Sequence, residues 1–558
     1  MSTLLVLLLL LPAAGIAALY LAPAELAARI GAAVGAAVLV LSLVLLPLFD
    51  YGHAGRMQGQ LKLSWVPTIG LDFQLGIDGI SLPLLLLTTL LAAICLFYAQ
   101  RTTTADDKGR TFTALLLLLT IGMVGTFLAE NLLLFFIFFE IVLIPMWALI
   151  HEWGSGKDNG ADARRAANKF ILYTLLGSAL MLLGFIVIYS HAHTFDMVTL
   201  AQRPGFGLTT GVQATAFLLV GLGFAIKTPM WPLHTWLPDA HTAAPTTGSV
   251  LLAGVLLKMG TYGFIRIGIG LLPLGAHRFA LAFAAFGVVG IVYGALACIA
   301  QLRRGGDLKR LIAYSSVGHM GFVLLGLGSM TRVGIDGALF ASVAHGLITG
   351  LLFFLAGGVK ERLGTTDLYA IGRGLYGRAR RYGVLVAFAA MASLGLPGLA
   401  GFWGELYVLI GAYKPAPGLN VLGFHILMGV AGLGMVLTAA YLLMLVRRIC
   451  MAPPQGADGP SESSESGDAD EVSETDQENE ADEVRESSPS VPSSAASGST
   501  TTGSAAIGSP IPAFADLTPR ELISWLPLGA LILAAGLWPA IILAVADPAV
   551  HALFGGVR

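Results

Sequence analysis

The chain has 558 residues, of which 56% are hydrophobic and only 12% charged, and its mean hydropathy is +0.79. That balance excludes a soluble protein and leaves one that crosses a membrane many times. The formal net charge of −2 hides an asymmetry: positions 458–486 hold 13 acidic residues and one arginine out of 34 acidic and 32 basic, so the remainder carries 31 basic against 21 acidic residues, a net of +10.

Fourteen apolar runs of span length follow one another: about 3–22, 27–49, 78–100, 111–129, 131–150, 167–190, 212–228, 245–270, 279–301, 311–329, 336–359, 383–413, 421–446 and 522–546. The first is long enough to be a span itself and has no convincing signal-peptide cleavage site. Only Glu130-Asn131 separates the fourth from the fifth, which predicts a very tight outer turn with Glu130 solvated. Loops after odd-numbered spans hold 22 lysines and arginines, against 8 in the loops after even-numbered spans and the C-terminus. That bias predicts odd-numbered loops in the cytoplasm and both termini outside, in a bacterial-type inner membrane.

Two spans are expected to be broken. In the seventh, Pro229, Pro232 and Pro238 follow Lys227 and remove backbone donors; in the twelfth, Pro397 and nearby glycines precede Glu405. Broken helices at membrane depth are tolerated only inside protein or along a cavity, and in transporters they mark the binding path. The two breaks lie five spans apart and so face opposite sides, which predicts two inverted five-helix repeats, spans 4–8 and 9–13. The expected organisation is therefore all-α: 1–110 with spans 1–3, 111–270 and 271–451 as the repeats, 452–515 as a disordered acidic cytoplasmic loop, and 516–558 with span 14. The acidic loop reads as a solvated insertion.

Six titratable residues stand inside apolar runs: Glu140, Lys227, Lys258, His319, His345 and Glu405. Lys258 lies 13 residues into its run, about 20 Å along a helix and well inside a hydrocarbon core about 30 Å thick. A lysine there costs about 3 kcal/mol, so it needs a partner, a wet cavity or a task. Glu140 is near the midplane by the same rise. A Glu140–Lys227 pair could be a helix lock, or a switch in which loss of the carboxylate lets the lysine discharge its proton. His319 and His345 could pack or relay. His234 and His241, in the seventh-span break, are accessory candidates that could equally be surface or cavity residues. Cys95, Cys298 and Cys450 follow no ligand spacing, and Cys95 and Cys298 read as packing residues. No metal, haem, phosphate-loop or dinucleotide motif appears, which predicts a chain without a redox cofactor of its own.

The segments KTPMWPLHTWLPDAHTAAPTTGSVLLAGVLLKMGTYGFIR, LKRLIAYSSVGHMGFV, FFEIVLIPMWALIHEWG and GLPGLAGFWGE resemble the antiporter-like membrane subunits of respiratory complex I, the proton-translocating NADH:quinone oxidoreductase, and among them the subunit M (chain-4) type. The likeness covers nearly the whole chain apart from the acidic insert. It implies fourteen spans, two inverted repeats and one proton channel. By resemblance, Glu140 and Lys227 are the input pair, Lys258 the central relay, His319 and His345 connecting groups, and Glu405 the terminal group. A glutamate at 405 matters because sibling subunits have lysine there. The largest sibling also continues into a long lateral helix, whereas this chain stops soon after span 14. The resemblance places NADH, FMN, iron–sulfur clusters and quinone in other subunits of the complex. It implies neighbouring antiporter-like subunits and membrane lipid as partners, with no nucleic acid. A subunit of a multisubunit cation/proton antiporter or a membrane-bound hydrogenase is the alternative, and the HTWLPDAHTAAPT segment favours the first reading.

Overall fold

The computed structural model describes residues 1–451 and 514–554, apart from Lys157, Asn159, Pro204 and Phe206. Nearly all of the acidic insert therefore lies outside the described residues. Among the described residues, thirteen helices are long and apolar enough to cross a membrane. The remaining crossing is divided into Arg380–Ser393 and Ala400–Tyr413. Each half has 14 residues, about 21 Å, too short to span alone.

Among the described residues, the ion pairs and hydrogen bonds between helix ends fall into two separate sets. One set joins the ends after spans 3, 5, 7, 9 and 11 and the start of span 14: Arg101 with Glu361 and Glu521, Asp239 with Lys169 and Arg310, and Arg362 with Glu521. The other joins ends after even-numbered spans: Lys62 with Asp196, Gln60 with Glu130, His277 with the Pro417 carbonyl, and Arg332 with Asp547. This is the alternation that fourteen crossings require.

Span 14 departs from the single run expected from sequence. It consists of Pro519–Leu537 and Ala540–Phe554, divided at Trp538-Pro539, because proline has no backbone N–H to continue the helix. It still crosses, since Arg362 and Arg332, thirty residues or about 45 Å apart on span 11 (Arg332–Leu363), bind its two ends. The Gly536 carbonyl at its break accepts a hydrogen bond from the Trp403 indole at 2.7 Å. A Cβ at Gly536 would meet Leu399 Cα at 2.4 Å, so the breaks of spans 12 and 14 touch only because this residue is glycine.

A two-stranded antiparallel hairpin, β1 (Gln58–Val66) and β2 (Leu71–Ile77), adds to the helical plan between spans 2 and 3. It covers the span 4–5 turn. The Glu130 N–H donates to the Gln74 carbonyl at 2.9 Å, and the Gln60 amide donates to the Glu130 carboxyl oxygens at 3.1 and 3.3 Å. Glu130 is consequently fully buried, not solvated. It fits only because Gly76 has no side chain, as a Cβ there would lie 1.8 Å from Glu130 Oε1.

Spans 8 (Thr246–Ile269), 10 (Leu308–Gly328) and 11 are buried almost throughout, whereas spans 2 and 13 present most of their apolar surface outward. With lipid as apolar as leucine, close approach of small residues drives such packing. Gly287, Gly294, Gly318 and Gly321 let spans 9 and 10 meet: a Cβ at Gly294 would lie 2.7 Å from the Tyr314 carbonyl oxygen.

Candidate functional site

The buried centre is where the intramembrane charges converge. Span 8 contains two π-helical turns, Leu252–Leu256 and Phe264–Ile269, on either side of Lys258. Such turns recur at functional sites. The Lys258 ammonium is fully buried. It donates to the Ala253 carbonyl at 2.5 Å and to His345 Nδ1, from span 11, at 2.6 Å. Accepting a lysine proton requires a lone pair at Nδ1, so the neutral imidazole carries its hydrogen on Nε2. No carboxylate pairs with Lys258 within 4.0 Å among the described residues.

The His345 and His319 rings lie 5.6 Å apart at 62°. His319 Nδ1 is 3.2 Å from Glu405 Oε1, and its Nε2 is 3.1 Å from the Ser393 hydroxyl. Between these groups is a cavity of about 20 Å³, large enough for one water. Local backbone conformation explains why Glu405 reaches in. Leu394–Leu399 separates the halves of span 12, and Gly395 and Gly398, flanking Pro397, have φ of +81° and +92°. Such left-handed angles cost a side-chain-bearing residue about 1–2 kcal/mol. Gly395 also makes room for the carboxylate: a Cβ there would stand 3.1 Å from Glu405 Oε2.

The first break follows the same logic. The helix Thr210–Lys227 stops at Lys227, Pro229 and Pro232 occupy the interruption, and Trp236–Ala243 resumes. The Trp236 indole satisfies the freed Ile226 carbonyl at 3.1 Å. Gly260 lets this break approach span 8, since a Cβ there would lie 2.3 Å from the Thr228 hydroxyl.

Lys227 is buried, with its ammonium 4.7 Å from the centre of the Phe139 ring, a favourable cation–π position. Glu140, half-buried, lies within its electrostatic reach, yet no ion pair within 4.0 Å joins the two among the described residues. Glu140 sits one residue before the end of Leu132–Ile141, and the span resumes at Leu143. Pro145 accounts for that discontinuity by leaving the Ile141 carbonyl without its helical donor. The structure therefore brings Lys258, His345, His319 and Glu405 into one contact chain and leaves Glu140 and Lys227 as a separate, looser group.

His241 is fully buried, stacked on Phe353 at 4.6 Å, with neither ring nitrogen hydrogen-bonded. It lies within electrostatic reach of Lys258 and Lys309. His234 packs against Tyr293 at 4.9 Å, away from that chain. Several groups escaped sequence reasoning. Lys309, Lys360 and Arg266 count as loop charges there, yet Lys309 and Arg266 are buried, Lys360 is half-buried, and Arg266 pairs with Asp78 at 2.6 Å. The signal for Lys309 was its helical phase with Ile312, Ser316 and Met320, which are all buried. Cys95, Cys298 and Cys450 are buried free thiols. Among the described residues no group of three or more His, Cys, Asp or Glu is arranged to hold a metal.

The family model for the transmembrane part of NADH:quinone oxidoreductase and Mrp antiporter subunits matches residues 129–430, which include Glu140, Lys227, Lys258, His319, His345 and Glu405. NADH-quinone oxidoreductase subunit M of Rhodobacter capsulatus is 41% identical over 420 residues, covering 74% of this chain and 77% of that one. The chain belongs to the NADH-quinone oxidoreductase subunit M family. The Rickettsia prowazekii member of that family is 40% identical over 393 residues, 70% of this chain and 75% of its own. Among solved structures, a chain of respiratory complex I from Thermus thermophilus matches with a TM-score of 0.78 and 28% identity over 99% of this chain and all of that one. A chain of the Mrp complex from Dietzia has the same TM-score at 22% identity, over 99% and 98% of the two chains, and so shares the fold.

Proposed function

We propose that the chain is a proton-translocating membrane-arm subunit of an NADH:quinone oxidoreductase, with the electron-transfer groups held by other subunits. One observation carries this reading: in a chain of this family, Lys258, His345, His319 and Glu405 form a buried series of proton donors and acceptors linked by contacts of 2.6–3.2 Å and one imidazole-to-imidazole step. Lysine gives a proton to His345 Nδ1 while Nε2–H releases one on the far side, which is how an imidazole passes a proton without rotating. His319 repeats the step, delivering to Glu405 from Nδ1. Each imidazole ends with the proton count it began with, Lys258 is left one proton short and Glu405 one proton richer, and the net result is one proton moved laterally.

In this reading Glu140 and Lys227 are the input pair. Phe139 gives the Lys227 ammonium a resting place, so its charge does not depend on a direct bond to Glu140. The repeats cover 111–270 and 271–451, and the basic side faces the cytoplasm, with both termini outside. Neighbouring membrane subunits cover Glu140 and the outward-facing spans. The Mrp-type antiporter remains the second reading because the fold is shared, but the relatives at about 40% identity favour the first.

Inverted membrane vesicles carrying Glu140→Gln distinguish the two. The expected result is loss of NADH-driven interior acidification while NADH oxidation by an artificial acceptor persists. Intact NADH-driven acidification together with failure under sodium or alkaline stress identifies an antiporter instead.

A further inference from the structure

The two nitrogens of the His319 ring are held by the two halves of broken span 12, one by each. Ser393, the last residue of the first half (Arg380–Ser393), places its hydroxyl oxygen 3.1 Å from Nε2. Glu405, in the second half (Ala400–Tyr413), places Oε1 3.2 Å from Nδ1. Both residues are buried. The halves converge on one ring because they meet beside it with no side chain between them: a Cβ at Gly401 would lie 2.2 Å from the carbonyl oxygen of Ala392, the neighbour of Ser393. Ser393, Gly401, His319, His345 and Glu405 all line the cavity of about 20 Å³.

What passes between these groups follows from what each can give and take. An ionised carboxylate only accepts, so a neutral His319 keeps its hydrogen on Nδ1, toward Glu405. Nε2 is left with one lone pair, and the Ser393 hydroxyl donates to it. That single acceptor position is occupied, so a proton bound for Nε2 has to come from the hydroxyl itself. A hydroxyl can supply one because it also accepts, taking a second hydrogen on oxygen while releasing the first. His345 stands at the other side of the cavity, its Nε2 buried and without a hydrogen-bond partner among the described residues. That nitrogen carries the ring's hydrogen, since Nδ1 accepts from Lys258. No hydrogen bond joins His345 directly to Ser393 among the described residues, but the cavity they share has room for one water.

We propose that the Ser393 hydroxyl is itself a proton-carrying member of the relay, standing between His345 and His319, and that it is the group that loads His319 at Nε2. The proposal rests on the proton-translocation reading and deepens it. A water in the shared cavity takes the hydrogen of His345 Nε2 and gives one of its own to Ser393 Oγ. The Ser393 O–H bond breaks toward His319 Nε2, and the Nδ1 hydrogen of His319 passes to Glu405. Lys258 replaces the His345 proton at Nδ1, so both rings, the water and the hydroxyl keep their hydrogen counts, and Glu405 gains the one that Lys258 lost. The first half of span 12 also ends at this point, and the partial negative charge of a helix C-terminus favours the charged ring through which the transfer passes.

Threonine and valine test this, because they are nearly the same size and differ in the hydroxyl. The readout is NADH-driven acidification of inverted vesicles containing the whole complex, with acceptor-linked NADH oxidation as the assembly control. Ser393→Thr is expected to pump near the wild-type rate. Ser393→Val should pump on the order of 10²-fold more slowly, since a methyl group in the hydroxyl's place keeps hydroxyl and water alike from Nε2. Ser393→Ala should fall between them, because the space it opens admits a water to Nε2. A serine that only packs predicts another order, with alanine the mildest change and threonine and valine equal. Equal rates for the threonine and valine variants, fast or slow, overturn the proposal. If neither of those assembles, Ser393→Cys and Ser393→Ala decide: the thiol keeps a transferable hydrogen, so the cysteine variant should pump several-fold faster, and equal rates overturn the proposal. Glu140→Gln separates this failure from that of the wider reading: if it too pumps normally, proton translocation by this chain is wrong. If only the Ser393 variants do, the role of the hydroxyl alone is wrong.

Discussion

Replacing Lys258 with methionine separates a relay from a structural lysine, because the two roles predict opposite balances of stability and function. The substitution removes two hydrogen bonds from a charged donor, at 2.5 and 2.6 Å, each contributing about 1.5–3 kcal/mol. It also removes the cost of holding a lysine at mid-membrane, about 3 kcal/mol, and methionine fills nearly the same space. His345 Nδ1 is not stranded, since with the lysine gone the ring hydrogen can move to Nδ1 and donate to the Thr349 hydroxyl oxygen 3.4 Å away, whose own hydrogen is given to the His345 carbonyl. The difference is a destabilisation of about 0–3 kcal/mol, an ordinary value for a point substitution. Proton transfer loses a positioned donor, on the order of 10²-fold or more in rate. The expected result is therefore an assembled complex that transfers electrons to an artificial acceptor but acidifies vesicles on the order of 10²-fold more slowly. Assembly is read on native gels and acidification by a pH-sensitive dye. Normal acidification would refute the relay, and collapse of assembly would assign Lys258 to the framework.

Other expectations are as concrete. Glu405→Gln keeps an acceptor for His319 but cannot take a proton at that oxygen, so acidification should fall steeply with assembly intact. Gly395→Ala forces a side chain into φ +81° and against Glu405 Oε2 at 3.1 Å; thermal unfolding should fall by about 1–2 kcal/mol and pumping should fall with it. Burial raises the Glu130 carboxyl from 4.5 to about 7, against the opposing effects of the Gln60 amide and the Arg266 charge. Because the hairpin-closed state holds that proton to higher pH than the open state does, closure weakens as pH rises from about 4.5 to about 7 and is level above. The change is about 3 kcal/mol, measurable as hydrogen exchange across residues 58–77, and Glu130→Gln should abolish the pH dependence. If exchange in that variant still tracks pH, Glu130 is not the responsible group.

The sequence made the centre of this protein legible because Lys227, Lys258 and Glu140 violate the apolar runs that contain them. Pro229, Pro232 and Pro397 likewise violate the helices they interrupt. Groups at the ends of runs gave no such signal. Lys309, Lys360 and Arg266 occupy positions where charge is expected at a membrane surface; packing reveals that Arg266 is buried, and for Lys309 only its helical phase with Ile312, Ser316 and Met320 hinted at burial. Glu130 looked solvated for the same reason. Its burial comes from a hairpin some sixty residues earlier, and the alternation in QGQLKLSWV was too brief to stand out between two spans. The break in span 14 was written in Trp538-Pro539, but a proline in an otherwise apolar run does not say whether the helix bends or stops.

The geometry of the two histidines sets a rule for how protons can occupy this chain. Two unit charges 5.6 Å apart, the separation of the His319 and His345 ring centres, repel by about 3 kcal/mol at an effective dielectric constant of 20. That is roughly a 150-fold penalty against charging both imidazoles at once. The Lys258 ammonium, 2.6 Å from His345 Nδ1, adds a third positive charge that would make simultaneous loading costlier still. If the series relays protons as proposed, a proton is expected to advance from Lys258 only when the imidazoles ahead are neutral, with Glu405 clearing His319 by accepting its proton. On that proposal, occupancy at one end of the series would control entry at the other through electrostatics, without requiring movement of a helix. Mutations at Glu405 should consequently change the protonation of Lys258, three groups away, and isotope-edited infrared spectra of the lysine in Glu405→Gln complexes would detect that change. An unchanged lysine signal would mean that the series is not coupled in this way, and that conformational change has to do the gating.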